Sequence, residues 1–211
     1  MSTGKRYEDS VFINCPFDIP YRPMMRALMF AVYDCGFIAR SALEEDDAGE
    51  VRYSKILRII GECKYGIHDI SRVELDRKTK LPRFNMPLEL GLFLGAKGFG
   101  NTVHACKSCL VLDSEPYRYR TFCSDIAGQE VRSHGGDYRK AIAAVRDWLS
   151  NSAPQNGVLV PSGSIIARRC ERFERALPAW CMRQGLVPSE LTFRDQRVLV
   201  EQWLKENSWS P

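Results

Sequence analysis

The stretch "RFNMPLELG", residues 83–91, places one carboxylate, Glu89, beside Leu88, Leu90 and Gly91 and ahead of Leu92, Phe93 and Leu94. Pro87 suits the first turn of a helix, where its missing N–H goes unused, and Asn85 or the residue after it suits the N-cap. Glu89 is then expected near the helix N-terminus, where the macrodipole favours its ionised form. One reading is a helix-end charge, since a first-turn glutamate commonly stabilises a helix and can complete a capping box. The other is a carboxylate presented to a cleft for chemistry.

Further polar groups end two apolar runs. "HDIS" (68–71) carries Asp69 and Ser71, and "VFIN" leads into "CPFD", with Asn14, Phe17 and Asp18. With Glu89, Asp69 and Ser71, two carboxylates and a small hydroxyl are expected to converge on one cleft. The histidines at 68, 104 and 134 are scattered, and His68 reads as a satisfied core or edge residue. Cys15 could be a reactive thiol but has no obvious histidine partner. Cys106 and Cys109 have CxxC spacing with only His104 nearby, short of the four ligands of a structural zinc, so no metal site is expected. The acidic run 44–47 reads as a solvated loop. "EPYRYR" (115–120) reads equally as a base-stacking, phosphate-holding element or as a surface loop with buried tyrosine rings.

The elements that must position these groups follow from apolar spacing. Strands are predicted at 11–14, 37–43, 65–71 and 108–113, with a weaker one near 129–134. Helices are predicted at 22–34, stopped by Gly36, then around 56–63, at 87–97 and at about 137–150. Alternating strands and helices predict an α/β domain with a mainly parallel five-stranded sheet covered on both faces. Ligands bind such sheets at the carboxyl ends of the strands. That edge is where 14–18, 40–46, 69–72 and the start of the Glu89 helix fall.

The chain has 211 residues, 45% apolar, enough for a sizeable core. The net charge of +4 tolerates a phosphate-bearing ligand without marking a nucleic-acid binder. Cys35, Cys63, Cys123 and Cys181 lie in apolar periodic stretches and behave as small hydrophobes. The polar opening "MSTGKRYEDS" and the lack of a long apolar run predict a cytoplasmic protein away from membranes. Residues 151–163 read as a linker, and 164–211 as a helical extension packing on the main domain or on another subunit. Pro178 is expected to break or kink its first helix, and "TFRD" (192–195) to cap its second. Arg168, Arg172 and Arg175 alternate with Glu171 and Glu174, which reads as a solvated, salt-bridged face and makes nucleic acid an unlikely partner.

"FNMPLELG" after a strand ending in "HDIS" resembles the nucleoside 2-deoxyribosyltransferase-like proteins. The resemblance extends through "VFINCPFD", "KILRIIGECKYGIHDIS" and "KSCLVLD", over about residues 8–150. In layout the same block is similar to bacterial TIR-like NADases. The resemblance implies a flavodoxin-like three-layer fold and cleavage of an N-glycosidic bond, with Glu89 as the catalytic carboxylate. Asp69 and Ser71 would then meet sugar hydroxyls, while Asn14, Phe17, Asp18 and Asn85 enclose the nucleotide. It implies NAD or a related nucleotide as substrate rather than a bound cofactor, a homo-oligomer or partner through 164–211, and a setting in bacterial antiphage or toxin systems. The chain departs from the deoxyribosyltransferase pattern at Asn85-Met86-Pro87, where a small pair such as Gly-Thr is usual, and in the charged stretch 72–84. Two readings of another class stand beside this one: a nucleotide-signal sensor without turnover, and an oligomerising interaction module.

Overall fold

The computed structural model describes residues 7–73, 75, 80–152 and 159–209. Five strands form one sheet: β1 (Ser10–Asn14), β2 (Ile38–Arg40), β3 (Tyr65–Asp69), β4 (Ser108–Asp113) and β5 (Val131–Ser133). All neighbours are parallel and the order is β2-β1-β3-β4-β5. This is the flavodoxin-like order, with its topological switch point between β1 and β3. Every residue of β1 and β3 is buried, as expected of central strands covered on both faces. The strand expected at 37–43 is only three residues long and lies at the sheet edge.

Helix α1 (Arg22–Asp34) has the predicted bounds. It ends where Gly36 adopts a φ of 86°, and Phe37 N–H then donates to Val32 O at 3.0 Å, closing a Schellman-type turn. Helices α2 (Arg52–Gly61) and α3 (Asn85–Phe99) cover the face that carries Phe12. Helices α1 and α4 (Tyr138–Ser152) cover the opposite face, on Val11, Ile13, Tyr65 and Ile67.

Helices α5 (Gly163–Arg183) and α6 (Phe193–Glu206) form a further layer outside α1 and α4. Of the two packings expected for this region, the chain takes the one onto its own main domain. Met24, Met25 and 27–32 of α1 are all buried, so α1 is enclosed between the sheet and the C-terminal helices. Phe30 stacks on Phe173 and Trp203, and these rings belong to the same core cluster as the strands. Arg26 makes a bidentate pair with Glu174 at 2.8 and 2.9 Å, and Arg169 pairs with Asp34 at 3.0 Å. Of the predicted break or kink at Pro178, the break does not occur, and helix α5 continues through it. Leu177, Trp180 and Cys181, buried on either side of it, hold the chain on the underlying helices. Thr192 and Asp195 form the predicted capping box of α6. Part of the expected linker, 153–158, and part of the charged stretch, 74 and 76–79, lie outside the described residues.

Candidate active site

The carboxyl edge at the switch point is built around Asn14. Its position opposite His68 in the β1–β3 register lets its amide nitrogen donate to His68 Nδ1 at 3.1 Å. The same nitrogen donates to Met86 O at 2.8 Å, so the end of β1 fixes the first turn of α3. Asn14 is therefore occupied by the framework it organises. His68 is fully buried against Phe12 and Phe93, and that burial, helped by Lys107, depresses its pKa to about 3. It is a neutral core imidazole, with Nε2 unpartnered among the described residues.

Glu89 lies one or two residues deeper in α3 than predicted. The residue before the helix is Phe84, and no side chain caps it. Asn85 is exposed at the first helical position, and Glu89 is the fifth residue, beyond first-turn and capping-box geometry. Glu89 is 4% exposed, and Oε2 is buried without a hydrogen-bond partner among the described residues. Burial raises its carboxyl from 4.5 to about 7, with Arg52 at the start of α2 pulling weakly the other way. The expectation of a dipole-ionised carboxylate thus gives way to a desolvated one that is partly protonated near neutral pH. Gly91 and Gly95 of α3 face open space. A Cβ on either would meet nothing within 4 Å.

Asp69 ends β3 fully buried. The hydroxyl of Tyr21 donates to its Oδ2 and the amide of Ser71 to its Oδ1 at 2.9 Å. His134 places Nε2 3.1 Å from Oδ2, out of line for a good hydrogen bond, while its Nδ1 accepts from Gly136 N–H at 2.9 Å. Sequence reasoning missed Tyr21 and His134, which lie 48 residues before Asp69 and 65 after it in the chain. Asp69 is thus the hub of a buried network, and Ser71 is held beside it.

Asp18 caps the short helical turn Ile19–Tyr21 and pairs with Arg72 at 3.1 Å. Phe17 packs partly buried against the main core. Cys15 is fully buried, and burial followed by the fields of Asp69, Glu89 and Asp18 pushes its thiol well above the ordinary range. The thiol is thereby held protonated, which argues against a reactive thiolate. The "EPYRYR" loop divides: Tyr117 is exposed with Arg120 4.7 Å from its ring centroid, while Arg118 and Tyr119 turn inward. Arg118 pairs with Asp113 and donates to Ser71 O at 2.6 Å, and Tyr119 is buried. Cys106 and Cys109 are free thiols, and among the described residues no three His, Cys, Asp or Glu side chains gather as metal ligands. Among the described residues no helix is long and apolar enough to cross a membrane.

Comparison with family models, curated proteins and solved structures returns no match. The functional reading therefore rests on this site. Its distinctive group is a buried carboxylate without a hydrogen bond at the switch-point edge, in a setting where every other carboxylate nearby is engaged.

Proposed function

We propose that the protein is an N-glycosidase acting on NAD or a related nucleotide, with Glu89 as the catalytic carboxylate. The observation that carries this reading is the isolation of Glu89. A structural carboxylate at 4% exposure normally has donors around it, and this one has none among the described residues. An oxocarbenium-like centre at C1′ would supply the missing positive charge and draw the group into its ionised form.

The leaving group follows from the neighbours. Asp69 is enclosed by Tyr21, Ser71 and His134, and Asp18 by Tyr21 N–H and Arg72. Neither is free to protonate an ordinary base. The cationic nicotinamide of NAD needs no such proton. When its C1′–N1 bond breaks, the electron pair goes to the ring nitrogen and the base departs neutral. Water, or Glu89 followed by water, then bonds C1′ with loss of one proton.

Base release tests this. Wild type and Glu89→Gln are incubated with NAD and a panel of nucleosides and nucleoside monophosphates, and products are separated by chromatography. Nicotinamide or base released by wild type alone supports the reading and names the substrate class. Release by neither protein, at concentrations that also favour assembly, would replace it with the sensor reading, which nucleotide-binding isotherms would then test.

A further inference from the structure

On the opposite side of the sheet from Glu89, helix α5 carries Arg168, Arg172, Arg175 and Arg183 on one exposed stripe. Their spacing of i, i+4, i+7 and i+15 keeps them within one face over about 22 Å of helix. In the sequence Glu171 and Glu174 stand ready to neutralise them. In the fold both glutamates are taken by other elements. Glu174 gives both oxygens to Arg26 of α1, and Glu171 pairs with Arg139 of α4 at 2.8 Å. Among the described residues, Arg168, Arg172, Arg175 and Arg183 have no carboxylate partner.

These guanidiniums border a groove between α5 and α6. A depression of about 500 Å³ between Trp180, Arg183 and Lys205 shares walls with one of about 450 Å³ between Arg172, Arg175 and Trp203. Arg172 links the second to another of about 360 Å³, where Arg168 and Trp209 stand. Arg183 lies 5.6 Å from the Trp180 ring centroid, and Arg172 5.8 Å from that of Trp203. Trp209, beneath Arg169 at 4.2 Å, keeps 44% of its surface exposed. The groove's own acid is Glu206, against Arg172, Arg175, Arg183 and Lys205. The surplus is positive along its length.

We infer that the α5–α6 groove binds single-stranded nucleic acid, with the arginine stripe following the phosphates and the exposed Trp209 ring meeting a base. Guanidiniums in a line match a phosphodiester chain and bind its oxygens in pairs. Trp180 and Trp203 are buried in the core beneath the arginines, and Trp209 at the end of the stripe is the indole exposed enough for an unpaired base to stack on. A groove between two packed helices, with axes about 10 Å apart, is narrower than a duplex and admits one strand. The intrahelical salt bridges expected from the sequence do not form, because Glu171 and Glu174 pair with Arg139 and Arg26.

The test is fluorescence anisotropy of a labelled twelve-residue thymidine oligonucleotide with the full-length protein. Binding is expected at 50 mM NaCl, weakening roughly 30-fold by 200 mM if three to four phosphates are contacted. Combined Arg172→Glu and Arg175→Glu should weaken it at least tenfold, while Lys97→Glu on α3 leaves it unchanged. Arg172→Lys with Arg175→Lys should lie between, separating charge from paired hydrogen bonding. Unchanged melting temperatures show that the variants are folded. The inference is overturned by absence of binding at 50 mM salt or by equal affinity of wild type and the glutamate variant. A duplex of the same length binding more tightly than the single strand, or displacement by poly-glutamate at matched charge, would overturn it equally.

Discussion

Nε2 of His134 stands 3.1 Å from Oδ2 of Asp69, joining the turn after β5 to the end of β3 across the end of β4. With the Tyr21 hydroxyl on the same oxygen and the Ser71 amide on the other, Asp69 links three separate segments at the carboxyl edge. Asp69→Ala is expected to cost about 3 kcal/mol, since it leaves a buried hydroxyl and a buried amide without an acceptor. Tyr21→Phe should cost less, about 1–2 kcal/mol. Urea unfolding reads both, and a double-mutant cycle should show the two changes coupled. A loss under half a kcal/mol for Asp69→Ala would mean the network does not hold the edge.

The raised Glu89 carboxyl makes a signed prediction. Folded, the group titrates at about 7; its ordinary value is 4.5. The folded state holds a proton that the unfolded chain has released between those values. Stability from this group is therefore whole below about pH 4.5 and is lost as pH rises through about 7. Glu89→Gln should accordingly exceed wild type in stability at pH 8, by on the order of 3 kcal/mol, and match it at pH 4. Denaturant titrations at both values decide; an equal gain at both would assign the effect to packing alone.

The same titration separates two catalytic roles. If Glu89 acts ionised on a developing cation, base release rises with pH through about 7 and levels off above it. A profile that falls through that range would make Glu89 the proton donor to the leaving base. It would then move the substrate from NAD toward ordinary nucleosides.

Two sets of glycines should respond oppositely to alanine. A Cβ on Gly66 would stand 2.7 Å from His68 Nε2 and 2.8 Å from the Phe93 ring, both fully buried. Gly66→Ala is expected to cost about 1–3 kcal/mol. Gly91 and Gly95 meet nothing there, so Gly91→Ala and Gly95→Ala should each stabilise α3 by about 0.5–1 kcal/mol. Thermal melts of the three single variants check both signs.

What the sequence determined by itself was whatever depends on neighbours along the chain. Apolar spacing placed α1 at Arg22–Asp34 and β4 at Ser108–Asp113, Gly36 marked the end of α1, and Thr192 with Asp195 marked the start of α6. Strand and helix alternation was enough for a mainly parallel five-stranded sheet covered on both faces, while the flavodoxin-like layout was what the family resemblance implied. Tertiary structure alone decided which partner each charge would take. Glu174 is one residue from Arg175 yet pairs with Arg26, 148 positions away, and Pro178 stays helical because α5 is pinned to the layer beneath it. The Glu89 carboxylate was legible as a residue type and a place, but not as a state. Ionisation depends on how much water and how many donors surround the group, and these come from elements that meet only when the chain has folded.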